Sequence, residues 1–282
     1  MLARRIALIA VTAIWGSTFL IVKEAIAVVP PLWFIALRFG MATIIILPWA
    51  WRDKKPIAWK NAIFAGVWLF LAFSLQTMGL ENTGPDRAAF LTSLNILFIP
   101  MLTAIWYRKP VRRSIWWVSG VVLLGLLLLL SPRGGVNRGD LMVLGTAIAL
   151  AGQVLATEGL PQHSSLLRFT AVELGITAIL SGIPAVFTRL PHFTLGATLG
   201  LVYTGAVASA VAMFIQTWAQ TRLSAFETGL IFTLEPVFAT LIGVTIGHRS
   251  LSTVGALGAV IMLSGLIWHE YTATNQQKSQ LD

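Results

Sequence analysis

Apolar runs of about twenty residues alternate with short polar stretches along the whole chain. A helix of that length spans a hydrocarbon core of about 30 Å, because an α-helix rises about 1.5 Å per residue. The polar stretches are rich in charged residues, proline and glycine, which commonly end helices. The pattern predicts ten transmembrane helices, at about 6–28, 31–50, 60–80, 87–106, 114–130, 140–158, 165–187, 196–218, 225–246 and 252–269.

The first run has some features of a secretory signal peptide. Arg4 and Arg5 precede it, and Ala25 and Ala27 resemble a cleavage site. The run is nevertheless too long for a typical signal core, and it ends with Lys23. We therefore expect it to be retained as the first helix.

The composition is that of a polytopic membrane protein. Of 282 residues, 56% are hydrophobic and only 11% are charged, whereas soluble domains carry roughly 25% charged residues. No loop is long enough for a soluble domain, so we expect a single membrane domain over 1–282. The chain has no cysteine, which excludes a disulfide, a thiolate metal site and a cysteine nucleophile.

The net charge of +9 comes mainly from basic residues in short loops. In a soluble protein this charge would suggest nucleic acid, but loop lysines and arginines of a membrane protein set its orientation, so we expect no nucleic-acid partner. More of the loop lysines and arginines, Lys109 among them, fall on the same side of the membrane as the N-terminus than on the opposite side. Arg133 and Arg249 lie on that opposite side. The sequence thus predicts cytoplasmic N- and C-termini.

The two halves of the chain are weakly related. A shift of 140 residues aligns Gln76 with Gln216 and Asn95 with Glu235 without a gap. The repeats would cover 6–130 and 140–269. Because each repeat has five helices, an odd number, the two copies have opposite orientations in the membrane. Inverted repeats are common in transporters, whose substrate sites lie at the repeat interface.

Glu235 lies at the centre of the ninth predicted helix. A charged side chain at that depth costs about 2.5–3.5 kcal/mol, so we expect it to face a cavity rather than lipid. Pro236 cannot donate a backbone hydrogen bond and frees the carbonyl of Phe232. Asn95 and Pro100 repeat this arrangement in the fourth helix. The pattern predicts that both helices bend near these prolines and face one site near the bilayer midplane.

Each polar candidate has two interpretations. Glu235 could bind a substrate ammonium group or a proton, or it could be tied to a neighbouring helix for packing. Asn95 could hydrogen-bond a substrate or simply join two helices. Gln76, Gln153 and Gln216 could orient a polar substrate, although glutamines near helix ends often meet water or headgroups.

Several motifs resemble those of the EamA-type drug/metabolite transporters. They are Trp15-Gly16-Ser17-Thr18-Phe19 in the first helix, the paired five-helix halves, and Leu-Glu-Pro-Val-Phe-Ala at 234–239. The resemblance implies a ten-helix exporter of small metabolites in the bacterial inner membrane. It also implies a central cavity lined by helices 1, 3, 4, 6, 8 and 9. Within the family the chain is most similar to the YddG-type exporters of aromatic amino acids.

Several other side chains are candidates for the cavity or for helix packing. Trp15 and Trp68 lie near mid-span on helices that the resemblance places at the cavity, so they could stack on a substrate, whereas most other tryptophans lie at span ends. Thr18 could line the cavity or serve close packing. We expect Arg38 to extend outward to the membrane surface, and Glu173 to lie on a peripheral helix with Arg168 as a candidate partner.

The favoured hypothesis is a secondary transporter that exports amino acids, including aromatic ones, by alternating access. An exporter of cationic drugs or quaternary amines is the alternative, and an intramembrane enzyme or a helical scaffold is a more distant one. We expect no cofactor or metal site, because the histidines, His248 included, lie in loops or at span ends and no ATP-binding or hydrolase motif occurs. The expected partners are a small molecule, the bilayer and, as a candidate, protons.

Overall fold

The computed structural model describes residues 1–108, 110–130, 135–161, 163–245 and 252–278, and within these ranges the chain contains helices and no strand. The helices are α1 (Leu2–Ala25), α2 (Pro31–Arg52), α3 (Trp59–Gly79), α4 (Pro85–Ser93), α5 (Asn95–Tyr107), α6 (Arg113–Leu130), α7 (Arg138–Thr157), α8 (Leu166–Ala185), α9 (Leu195–Gly205), α10 (Ala212–Gln220), α11 (Ala225–Phe232), α12 (Glu235–Thr245) and α13 (Thr253–Lys278). A π-helical segment, Ala206–Val211, joins α9 to α10.

The predicted all-helical membrane fold is confirmed. Nine helices in the described part of the chain are long and apolar enough to cross a membrane, and α13 contains a shorter apolar stretch, Thr253–His269. Their bounds agree with the predicted ones to about one turn. The predicted end of the ninth helix at residue 246 lies outside the described residues, as do Lys109, Arg133, His248 and Arg249.

Two of the membrane-spanning segments are broken in the middle. The fourth is split at Leu94 into α4 and α5, and the ninth is split after Phe232 into α11 and α12. The second break adjoins Pro236, which has no N–H to offer the Phe232 carbonyl. The first break precedes Pro100, which lies inside α5. Asn95 and Glu235 therefore each begin the second half of a broken helix.

Small residues bring the helices into close contact. A Cβ atom on Gly16 of α1 would lie only 2.9 Å from the carbonyl oxygen of Glu235, so α1 and α12 touch backbone to backbone there. Gly125 of α6 and Gly258 of α13 form a second contact of this kind. Such packing is typical of membrane helices, which have no hydrophobic driving force between them in lipid.

Large apolar side chains cover the outside of the bundle. Ile44, Leu124 and Ile179, for example, are exposed on three different helices. A soluble protein would rarely expose so much apolar surface, whereas a lipid-facing surface requires it. The fold is therefore that of a protein embedded in a bilayer.

Candidate functional site

A small cavity lies at the centre of the bundle. Six of the eight side chains proposed from the sequence as substrate contacts line it: Trp15, Thr18, Gln76, Gln153, Gln216 and Glu235. Arg38, Leu69, Phe73, Thr92, Leu150, Met213 and Phe232 complete the wall. The cavity has a volume of about 30 Å³, which is enough for one or two water molecules. Ligand pockets are larger, at roughly 300–1,000 Å³. The protein is thus closed around its central site.

Glu235 supplies a carboxylate to this cavity. It is the first residue of α12, where the helix dipole favours a negative charge, and its side chain is 7% exposed. It makes no hydrogen bond or ion pair with any described residue. Arg38 is the charged group that interacts with it electrostatically. Its oxygens are available to a ligand.

Arg38 supplies the opposite charge, contrary to the prediction that it extends to the membrane surface. Its side chain is 3% exposed, and Nε donates to the Ser209 hydroxyl at 2.7 Å. The guanidinium carbon lies 4.6 Å from the centre of the Phe73 ring and 5.3 Å from that of Phe39. The prediction was wrong because the π-helical segment and this aromatic pair hold the guanidinium inside. Its two terminal amino groups donate to none of the described residues.

Aromatic rings flank the two charges. The Trp15 indole N–H donates to the carbonyl oxygen of Ala208 at 2.8 Å, which fixes the ring at the π-helical segment. The Phe232 ring meets it edge to face at 5.1 Å between centroids. Together with Phe73, these rings form an apolar wall next to Arg38 and Glu235.

The glutamines form a hydrogen-bonded chain on another side of the cavity. Gln216 Nε2 donates to Gln153 Oε1 at 2.9 Å and to Gln220 Oε1 at 2.9 Å. Gln153 Nε2 in turn donates to Glu173 Oε1 at 2.6 Å. Gln76 donates to the Thr92 hydroxyl at 3.3 Å. Gln153 and Gln216 are each 1% exposed, so neither reaches the headgroups.

Asn95 and Trp68 do not line the cavity. Asn95 is 1% exposed, and its Oδ1 lies next to Gly229 of α11 without a hydrogen-bond partner among the described residues. The Trp68 ring packs on Gly152 and on the Phe64 ring, at a centroid distance of 5.9 Å from the latter. Trp68 thus contributes to helix packing.

The candidate pair of Glu173 and Arg168 does not form. Glu173 is fully buried and bonded to Gln153, whereas Arg168 donates to the carbonyl oxygen of Lys55 at 2.9 Å. The two side chains are five positions apart on α8 and therefore project from different faces of that helix.

Polar contacts close the bundle at both ends. Where α1 begins, Arg5 forms an ion pair with Glu227 of α11 at 2.7 Å. At the opposite end, Arg87 of α4 pairs with Asp140 of α7 at 2.8 Å. There Lys23, in the last turn of α1, also donates to backbone carbonyls of the α3–α4 connection. These contacts were not predicted, because nothing in the sequence pairs charges so far apart in the chain.

Comparison with known proteins agrees with the fold. The EamA-like transporter family matches residues 5–131 and 137–269. An uncharacterized transporter of Archaeoglobus fulgidus is 30% identical over 91% of this chain and 82% of its own length. The uncharacterized transporter YwfM of Bacillus subtilis is 27% identical over 90% of this chain and 88% of its own.

A solved structure has the same fold. It superposes with a TM-score of 0.80 over 97% of this chain and 98% of its own, at 18% identity. That identity is too low to carry function, but the family match covers both halves of the chain. The chain belongs to the EamA-like transporter family and is a multi-pass membrane transporter.

Proposed function

We propose that the protein is a secondary transporter that exports small zwitterionic metabolites across the inner membrane by alternating access. Amino acids, including aromatic ones, are the proposed substrates. The N- and C-termini lie in the cytoplasm in this proposal, because most loop lysines and arginines fall on their side.

The observation that carries the proposal is the pair of opposite charges at one cavity. Arg38 has two free terminal amino groups there, and Glu235 has a carboxylate without a hydrogen-bond partner among the described residues. A guanidinium binds a carboxylate through two parallel hydrogen bonds, and a carboxylate accepts from an ammonium group. An α-amino acid carries both groups on one carbon atom. Its side chain would meet the wall formed by Trp15, Phe73 and Phe232.

The closed cavity fits one state of an alternating-access cycle. A space for one or two waters cannot hold phenylalanine, so the bundle must open to load it. The broken helices α4–α5 and α11–α12 offer places where such a movement can bend the chain, and the second break adjoins Glu235.

A cationic drug is less well supported as the substrate. Glu235 beside aromatic rings would suit a cation, but the Arg38 guanidinium faces the same cavity and would repel it. Competition separates the two proposals. Phenylalanine should outcompete a lipophilic cation in the wild-type protein, and the opposite ranking would favour the cation exporter.

The test is counterflow of radiolabelled phenylalanine in proteoliposomes, with Arg38→Gln and Glu235→Gln beside the wild type. Phenethylamine lacks the carboxylate and 3-phenylpropionate lacks the amine, so each competitor probes one charge. Because a hydrogen bond to a charged group is worth about 1.5–3 kcal/mol, each variant should bind phenylalanine roughly ten- to hundredfold more weakly.

The pattern of competition decides the outcome. Arg38→Gln should still be inhibited by phenethylamine, and Glu235→Gln should still be inhibited by 3-phenylpropionate. The exposed Glu24 provides a control, since Glu24→Gln removes a carboxylate at the far end of α1. Normal phenylalanine counterflow in both cavity variants would refute the site. No counterflow above empty liposomes, from folded wild-type protein, would refute the substrate.

A further inference from the structure

A second intramembrane carboxylate lies outside the cavity wall. Glu173, in the middle of α8, is 0% exposed. Its Oε1 accepts one hydrogen bond, from Gln153 Nε2 at 2.6 Å. Its Oε2 is buried and has no partner among the described residues. Buried polar oxygens are normally satisfied, so an orphaned oxygen on an acid suggests a functional role.

Among the described residues, no counter-charge faces Glu173. Helix α8 packs against α2, α3 and α10, and Gln153 reaches it from α7. Apart from Glu173 itself, the charged residues on these five helices are Arg38, Arg52, Lys60, Arg138, Asp140 and Arg168. None of these six has an electrostatic interaction with Glu173. Arg38 is directed to Ser209 and the cavity, Asp140 pairs with Arg87 at one end of the bundle, and Arg168 is bonded to the Lys55 carbonyl.

An isolated carboxylate in such a place is costly when it is ionised. Taking a charge out of water without a partner costs far more than burying the neutral acid. The neutral acid is therefore the favoured form of Glu173 in the closed protein, and Oε2 is the oxygen that can carry the proton, because Oε1 accepts from Gln153.

A hydrogen-bonded route leads from Glu173 to the cavity. Gln153 bonds to Glu173 with its amide nitrogen, accepts from Gln216 with its amide oxygen, and lines the cavity together with Gln216. Gln153 is thus a direct hydrogen-bonded link between the cavity and the acid.

We propose that Glu173 is a proton-binding site that couples transport to a proton gradient. This site is separate from the proposed substrate-binding side chains, Arg38 and Glu235. In one open state Oε2 takes a proton from hydronium in the cavity, leaving water. In the other open state the acid returns the proton to water, and no other bond changes. The inference rests on the proposed transport cycle, which opens the cavity to each side in turn.

The test uses wild type, Glu173→Gln, Glu173→Asp and the control Glu24→Gln in proteoliposomes. Phenylalanine counterflow at equal pH measures exchange, and accumulation under an imposed pH gradient measures coupling. Glu173→Gln should keep counterflow, because its amide oxygen can still accept from Gln153, and should lose the response to the gradient. Glu173→Asp keeps an acid and should retain part of that response, as Glu24→Gln should retain all of it.

A spectroscopic readout makes the test independent of the substrate. Infrared difference spectra between acid and alkaline pH should contain a carboxylic-acid C=O band that is present in wild type and absent in Glu173→Gln. No response of the wild type to the pH gradient, or a response that survives in Glu173→Gln, would overturn the inference. A titrating Glu173 band without any phenylalanine counterflow would support the proton site and refute the proposed substrate instead.

Discussion

The contact between α1 and α12 at Gly16 holds two walls of the cavity in place. A Cβ atom on Gly16 would lie 2.9 Å from Glu235 O, 3.0 Å from Ala239 N and 3.0 Å from Phe238 Cβ. These are backbone atoms and a Cβ, so none can rotate away. Because ordinary contacts begin at 3.4 Å, Gly16→Ala must push α1 and α12 apart by about 0.5 Å.

The expected cost follows from this displacement. Overpacking a tight contact destabilises by typically 1–3 kcal/mol, while alanine in place of glycine favours a helix by up to about 1 kcal/mol. Gly40→Ala on α2 is the matched control, because a Cβ there meets nothing within 4 Å. The two variants share the helix-propensity gain, so their difference in stability should be about 1–3 kcal/mol.

Thermal unfolding of the purified proteins, together with phenylalanine counterflow, checks this prediction. Gly16→Ala should unfold at a lower temperature than Gly40→Ala and should transport more slowly, because the Glu235 backbone moves away from Trp15. Equal unfolding temperatures and equal transport in the two variants would refute the reasoning.

Two further predictions concern the end of the bundle where α1 begins. Hydrogen bonds from the Ser165 hydroxyl and the Lys55 N–H lower the pKa of Asp53 in the folded protein. The Asp53 carboxylate therefore stabilises the fold at pH values above the pKa that it has in the unfolded chain, and this stabilisation is lost as the pH falls through the lower pKa of the folded state. Asp53→Asn should therefore lower the unfolding temperature at neutral pH but not at strongly acidic pH; an equal deficit at both would contradict this. Arg5→Gln breaks the ion pair with Glu227, which is worth up to about 1 kcal/mol. Because this pair helps to close that end of the bundle, a single cysteine introduced into the cavity wall of this cysteine-free chain should be labelled faster in the variant. An unchanged labelling rate would show that the pair does not hold the bundle closed.

The helices could be predicted from the sequence because the bilayer imposes their length. Apolar runs bounded by charges and prolines located the nine membrane-length helices of the described chain and the shorter apolar stretch of α13, and Pro236 indicated the break before α12. The break at Leu94 has no proline beside it and could not be located in this way. The π-helical segment between α9 and α10 likewise has no local signal, since it is made of small residues, alanine, valine and one serine.

The site could be predicted only in part. The depth of a residue in the membrane can be inferred from the sequence, but the direction in which its side chain points cannot. Glu235 and Trp15 were expected at a central cavity from their depth and from the family resemblance, and both line it. Arg38 is two turns into α2, which was compatible with either a surface or a cavity position. What decides its position is Ser209, far away in the chain.

The two protein charges that we propose bind the substrate lie on different groups of packed helices, which bears on how the site can open. Glu235 belongs to α12, which packs on α1 through Gly16, whereas Arg38 belongs to α2, which packs on α8 and on the π-helical segment. The Trp15 N–H bond to Ala208 is one link between the two groups. In the proposed cycle the cavity must widen to admit phenylalanine. An amino acid carries its carboxylate and ammonium on one carbon, so it can bridge Arg38 and Glu235 only while these two side chains stay close together. We therefore expect the widening to leave the two charges near each other, because substrate binding favours the state in which both can be engaged.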